Sequence, residues 1–120
     1  MKKVLIIDDN KEFLEELGVM LSSSGYETIL VNDSNIAMKT VLTEKPDVIL
    51  MDMRMDGLSG YELTLKLKQN KDTYRIPIIA MSGYYKEDVY NLKSAYGGDK
   101  YLRKPFTPLD VISKIEGVLI

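Results

Sequence analysis

The sequence contains no cysteine, no histidine and no tryptophan. Without cysteine the chain forms no disulfide and offers no thiolate to a metal. Without histidine it lacks the commonest general base, the commonest zinc ligand and any phosphohistidine of its own. No apolar run approaches the ~18 residues of a membrane-spanning helix, and no signal-peptide pattern is read at its start. An excess of one charge is missing too. With 16 basic and 18 acidic residues the formal net charge is −2, which gives no general attraction to nucleic acid or to an anionic membrane.

What is present is ordinary in amount and specific in arrangement. A length of 120 residues, 45% hydrophobic and 28% charged, suits one globular core and is too short for a second, so residues 1–120 are expected to form a single domain. The chain is organised around Asp47-Val48-Ile49-Leu50-Met51-Asp52. Its apolar run reads as a short strand buried on both faces, which places it in the middle of a sheet covered by helices. The run stops at an acid, and Gly57 turns the chain five residues later.

Val4-Leu5-Ile6-Ile7 is a second such strand, also ending in acids, Asp8 and Asp9. Asn10 then caps a helix whose stripe is Phe13, Leu14, Leu17, Met20 and Leu21, and Gly25 suits a left-handed end to it. Thr28 to Val31 predicts a shorter strand near an edge. Asp33 or Ser34 caps a helix carrying Ile36, Ala37, Val41 and Leu42, closed by Pro46. A third helix is expected from Gly60 to about Lys68, burying Leu63, Leu67 and Leu65. Ile76 to Met81 predicts strand four, with Pro77 confined to its start and Ser82-Gly83 at its carboxyl end. Lys86 to Tyr96 reads as a weaker helix with Val89, Leu92 and Ala95 as its apolar face, broken by Gly97-Gly98. Lys100 to Leu102 is a brief fifth strand. Thr107-Pro108-Leu109-Asp110 starts a last helix with a stripe of Leu109, Ile112, Ile115 and Leu119. Five strands alternating with five helices predict an α/β fold: a (βα)5 doubly wound, five-stranded parallel sheet in the flavodoxin-like order 2-1-3-4-5.

That order makes strands one and three neighbours, so Asp8, Asp9 and Asp52 converge at one carboxyl edge. Three carboxylates in a crevice repel one another, and a hard divalent cation such as Mg²⁺ relieves this while accepting phosphate oxygens as further ligands. Strands four and five bring complementary groups: the Ser82 hydroxyl beside Gly83, and the Lys104 cation held by Pro105, whose preceding peptide bond is a candidate for cis. Serine and lysine facing a metal-bound aspartate are the parts needed to hold a phosphoryl group. Singly, each of these residues is an ordinary surface polar group; together they point to phosphoryl chemistry.

With Ile6-Ile7-Asp8-Asp9-Asn10, Leu50-Met51-Asp52-Met53-Arg54-Met55, Gly60, Ser82-Gly83 and Tyr101-Leu102-Arg103-Lys104-Pro105-Phe106 in this order, the chain resembles the receiver domain of bacterial response regulators over essentially its whole length. The resemblance implies a phosphoacceptor, Asp52, charged by a sensor histidine kinase or a histidine phosphotransfer protein. It implies Mg²⁺, with Mn²⁺ as a substitute, at a site of Asp8, Asp9, Asp52 and the Arg54 backbone carbonyl, with Asp9 a direct ligand and Asp8 binding largely through water. Ser82, with Gly83 leaving the approach open, and Lys104 would bind phosphoryl oxygens, and Tyr101 would change rotamer as the switch. Arg54 and Tyr84 would flank the phosphoryl group and restrict the water that hydrolyses it.

Three positions depart from the family's pattern. Asp56 stands where a proline is usual, adding a fourth carboxylate near the site. Gly83 stands where alanine is commoner, and Gly97-Gly98 where Gly-Ala is usual. Such a domain assists its own phosphorylation and dephosphorylation without being a turnover enzyme. Lacking histidine, the chain needs a partner or a small phosphodonor for its phosphate. Its expected setting is cytoplasmic, as a monomeric single-domain regulator. Output is expected through a protein target on the Lys86–Tyr96 helix, the fifth strand and the last helix, a region where Tyr84, Tyr85, Tyr90, Tyr96 and Tyr101 gather. Two rivals have less support. An aspartate-nucleophile phosphohydrolase would attack from Asp8 but wants an acid where Asn10 stands. A flavodoxin-like cofactor-binding protein would want a hydroxyl- and glycine-rich loop in place of Asp8-Asp9-Asn10-Lys11-Glu12.

Overall fold

The unbroken apolar runs become the central strands, and their alternate residues feed two separate cores. The computed structural model describes residues 1–96 and 99–119. Its strands are β1 (Lys3–Ile7), β2 (Glu27–Val31), β3 (Val48–Asp52), β4 (Ile78–Ser82) and β5 (Lys100–Arg103). The helices are α1 (Lys11–Ser23), α2 (Ala37–Glu44), α3 (Gly60–Gln69), α4 (Tyr85–Asn91) and α5 (Pro108–Val118). Among the described residues the strands form one parallel sheet in the order β2-β1-β3-β4-β5, the flavodoxin-like order expected. β3 and β4 are buried along their whole length, as a strand must be when helices cover both faces of its sheet.

On one face Leu5, Ile7, Ile49, Met51, Ile78 and Ala80 pack against Ala37 and Val41 of α2, Leu63 and Leu67 of α3, and Leu92. On the other, Val4, Ile6, Val48, Leu50, Ile79 and Met81 pack against Leu14, Leu17 and Leu21 of α1 and against Val111 and Ile115 of α5. The period of two along each strand thus divides one apolar run between two layers of helix.

Local signals hold at most helix ends. The Asn10 side chain accepts the Phe13 N–H, and Gly25 follows the end of α1 at φ +94°. Thr107 and Asp110 form a reciprocal capping box with Pro108 in the first turn of α5. The Lys104–Pro105 peptide bond is cis.

Several boundaries and faces differ from expectation. β2 is as long as β1, and β4 begins after Pro77. Asp33 caps a single 3₁₀ turn, Ser34–Ile36, before α2 starts at Ala37, which leaves Ile36 exposed; Leu42 is exposed because the buried face is Ala37 and Val41. On α3 the buried neighbours of Leu63 and Leu67 include Thr64, and Leu65 is half-buried. Leu109 is 76% exposed and Val111 is buried in its stead: two residues turn a helix by about 200°, so the two side chains leave α5 on opposite sides. The predicted helix at 86–96 is α4 followed by a π turn, Leu92–Tyr96, with Leu92 buried, Val89 half-buried and Ala95 exposed. The break expected at Gly97-Gly98 lies outside the described residues.

Candidate functional site

β1 and β3 run side by side with Ile7 paired to Met51, so the next residues on both strands, Asp8 and Asp52, emerge together at the carboxyl edge. Carboxylate oxygens of Asp8, Asp9 and Asp52 lie within 4.8 Å of one another. Asp8 and Asp52 are buried and Asp9 is exposed. One Asp8 oxygen accepts the Asn10 N–H at 3.0 Å and the other accepts the Lys104 ammonium at 2.8 Å. Lys104 Nζ is 3.5 Å from Asp52 Oδ1, so one cation spans the two buried acids. Burial first, then the neighbouring Asp8 carboxylate, push the Asp52 carboxyl up to about 6, against the pull of Lys104 and of the Arg54 backbone N–H.

The backbone places Lys104 there. Its N–H bonds the Ser82 carbonyl at 2.8 Å, continuing the β4–β5 ladder, and its ammonium lies 4.2 Å from the centre of the Phe13 ring. Phe13 meets Phe106 edge-on at 5.9 Å, so the apolar wall of the site joins α1 to the segment after Pro105. The β3–α3 loop is held by the N–H of Asp56, which bonds Asp9 Oδ2 at 3.0 Å, and by its carbonyl, which accepts the Ser34 hydroxyl. Asp56 thus meets the site through its backbone, and the three-acid cluster among the described residues is Asp8, Asp9 and Asp52.

Gly60 starts α3 against the end of β3. A Cβ at this position would stand 2.2 Å from the Asp52 carbonyl oxygen and 2.7 Å from Met53 Cα. Only glycine allows so close a backbone approach beneath the acidic cluster. At Gly83 a Cβ would meet nothing within 4 Å, so alanine fits there equally well. Gly83, Tyr84, Lys86, Arg103 and Lys104 line a groove of about 500 Å³ beside the cluster.

Ser82 is at the end of β4 as expected, but its hydroxyl is engaged elsewhere. It donates to Asp88, a fully buried acid in the first turn of α4, and accepts the Tyr84 N–H at 2.9 Å. The Tyr61 hydroxyl also donates to Asp88, and Arg54 Nη2 bonds the same carboxylate oxygen at 3.0 Å. Burial, with this hydrogen bond next, raises the Tyr61 phenol above its ordinary value. The Arg54 guanidinium stacks 4.4 Å from the Tyr84 ring centre and lies 3.6 Å from Glu87. Arg54 and Tyr84 are therefore paired with each other over α4. Tyr101 is half-buried on β5 and packs against the α2–α3 core, with Lys93 Nζ 5.8 Å from its ring centre.

Asp88 and Tyr61 were missed by sequence reasoning, though a signal existed for Asp88. Asp88 lies one helical turn before buried Leu92, so the core-facing stripe of α4 begins with an acid that needs partners.

All-oxygen donors, two of them buried, in a water-accessible edge are what a small hard cation takes. Asp8, Asp9 and Asp52 fit Mg²⁺.

Residues 4–116 match the family of response regulator receiver domains. The phosphate regulon transcriptional regulatory protein PhoB of Pseudomonas aeruginosa is 35% identical over 98% of this chain and 52% of its own. The chain spans about half the length of the curated relatives it matches. Among solved structures, the Vibrio cholerae chemotaxis protein CheY4 superposes with a TM-score of 0.92 at 25% identity, covering 99% of both chains. The receiver domain of the sensor histidine kinase PA1611 from Pseudomonas aeruginosa, which holds a magnesium ion in its active-site cleft, superposes with a TM-score of 0.90 at 29% identity, covering 98% of this chain and 97% of that one.

Proposed function

The chain belongs to the response regulator receiver domain family, and from that premise we propose that it is a phosphoacceptor signalling domain with Asp52 as the residue phosphorylated. The observation that carries the reading is the ammonium of Lys104 spanning buried Asp8 and Asp52 within a cluster of three acids. A carboxylate so placed has a cation on one side and metal-type oxygen donors on the other, the surroundings that an incoming phosphoryl group requires.

In the proposed reaction an Asp52 oxygen attacks phosphorus in line with the bond to the donor. The new O–P bond forms as the P–N bond of a partner's phosphohistidine breaks, and the freed imidazole takes up a proton. Mg²⁺ held by Asp8, Asp9, Asp52 and the Arg54 carbonyl would offset the repulsion between these acids and the phosphoryl oxygens. Lys104 would turn from Asp8 to a phosphoryl oxygen. Ser82 would exchange its present acceptor for another, Gly83 would leave the approach open, and Tyr101 would fill the space vacated. Pro105 would be the structural residue that follows Lys104, joined to it by a cis bond. Partners by this reading are a sensor histidine kinase or histidine phosphotransfer protein upstream and a protein target on α4, β5 and α5 downstream, in the cytoplasm. No described helix is long and apolar enough to cross a membrane.

The test is incubation with acetyl phosphate or a phosphorylated kinase in Mg²⁺. One base-labile phosphoryl group should be added, and chelation or Asp52→Asn should abolish it. Labelling of Asp52→Asn at the wild-type rate would overturn the assignment.

A further inference from the structure

The side chain that the proposed chemistry does not use is Asp88. It is 0% exposed, and three groups donate to its carboxylate: Ser82 from β4, Tyr61 from α3 and Arg54 from the loop after β3. Two of these three, Ser82 and Arg54, belong to the strand ends around Asp52. The third ties the same carboxylate to a neighbouring helix. Asp88 itself belongs to the first turn of α4, where its N–H bonds the Tyr84 carbonyl at 3.0 Å. Arg54 reinforces the arrangement by stacking on Tyr84, the residue before α4, and by facing Glu87 with the same Nη2 that bonds Asp88.

We infer that Asp88 is the positioning residue that holds the unphosphorylated state and carries the signal into α4: it competes with a phosphoryl group on Asp52 for the Ser82 hydroxyl. The inference rests on the phosphoacceptor reading of Asp52 and adds to it the element that responds first. A serine hydroxyl has one proton to donate. While that proton is on Asp88 it is not on a phosphoryl oxygen. When Ser82 turns to the phosphoryl group, Asp88 Oδ2 loses its donor inside a fully buried position. A buried carboxylate oxygen without a partner is unfavourable, and water is the replacement that the surroundings of α4 admit. The first turn of α4 must therefore move to hydrate Asp88, and Arg54 and Tyr61 lose their common acceptor with it. The buried stripe of α4 and the π turn after it consists of Asp88 and Leu92, so half of it is a polar bond that phosphorylation can break.

The competition has a sign. Weakening Asp88 as an acceptor should make the phosphorylated state easier to reach, and only through Ser82. Mg²⁺ with beryllofluoride, a phosphoryl mimic that needs no kinase, is titrated by ¹⁹F resonance into wild type, Asp88→Asn, Ser82→Ala and the double variant. Amide hydrogen exchange of residues 85–91 is followed with and without the mimic. Asp88→Asn should bind the mimic about tenfold more tightly than wild type, about 1.4 kcal/mol. The gain should fall below about threefold when Ser82 is already alanine, because coupled residues are not additive. In wild type the mimic should speed exchange across α4, and in Asp88→Asn exchange should already be fast without it. Equal affinities in wild type and Asp88→Asn overturn the inference, as does a gain that survives loss of Ser82, or an α4 that exchanges alike in all states. Should Asp88→Asn fail to fold, Asp88→Ala removes the acceptor outright, and it should raise mimic affinity in the same direction, again with the gain falling below about threefold when Ser82 is already alanine. Failure of wild type itself to bind the mimic overturns the phosphoacceptor reading and this inference with it; binding in wild type without an Asp88 effect overturns the inference alone.

Discussion

A carboxylate on a side chain only 11% exposed, next to a second buried carboxylate, is destabilised when ionised, and Asp52 is in that position. Its folded value of about 6 lies above the ordinary 3.8, so between those values the folded chain holds a proton that the unfolded chain releases. Stability from this carboxyl is therefore fully present below pH 3.8 and is lost as pH rises through about 6. The shift corresponds to roughly 3 kcal/mol at most. Asparagine has the shape of the protonated acid and no charge. We expect Asp52→Asn to be more stable than wild type by roughly 1–3 kcal/mol at pH 7.5 without metal, with the difference closing by about pH 4. Urea denaturation of the two proteins across this range checks it. A difference that does not change with pH would mean that the effect is packing rather than charge.

Where elements join, two glycines make contrasting predictions. Gly60 brings the start of α3 within van der Waals distance of the β3 backbone, and its own N–H bonds the Met53 carbonyl at 3.2 Å. Gly60→Ala must push α3 away from the acidic edge, with an overpacking cost of roughly 1–3 kcal/mol and weaker Mg²⁺ binding, read together by thermal melts with and without the metal. Gly83→Ala adds its methyl to open space at a residue without positive φ, so it should raise stability by roughly 0.4–1 kcal/mol through the unfolded chain. An unchanged Gly60→Ala melt would show that α3 shifts freely.

These junctions also mark how far the sequence could be read. The strands are legible because each apolar run ends at a polar residue that must emerge from the sheet, and the alternation order then decides which strand ends meet. Helix faces are less legible where the apolar residues outnumber the buried positions: Leu109 and Leu42 are as apolar as Val111 and Val41, and only the docked angle of the helix selects between them. α4 was the hardest, since its buried stripe includes a charged residue whose partners come from β4, α3 and the β3–α3 loop. Nothing local to residues 85–91 announces Tyr61 or Arg54. The engagement of Ser82 by Asp88 is a tertiary fact.

Across the whole molecule, the site exists only when the sheet is assembled. Lys104 and Asp8 are 96 residues apart in sequence, and Asp52 comes from a third strand end, so the unfolded chain offers no comparable cluster of acids. A cation taken by the folded state alone stabilises it by mass action, about 2.7 kcal/mol when present at 100 times its dissociation constant. Without metal, Lys104 is the cation that offsets Asp8 and Asp52, at 2.8 and 3.5 Å. Lysine and metal therefore draw on the same acids, and removing the lysine should have opposite effects on stability and on metal affinity. Lys104→Met keeps the length and apolar stem of the side chain while leaving two buried carboxylates uncompensated. We expect it to lower metal-free stability by roughly 1.5–3 kcal/mol, the worth of a charged hydrogen bond, and to bind Mg²⁺ several-fold more tightly. For a chain of this size each kcal/mol moves the melting temperature by about 4 °C. Melting curves against Mg²⁺ should begin well apart for wild type and Lys104→Met and converge as the metal saturates, because the variant gains more from each increment. Parallel curves would show that Lys104 and the metal do not share these acids, and would remove the lysine from its role at the site.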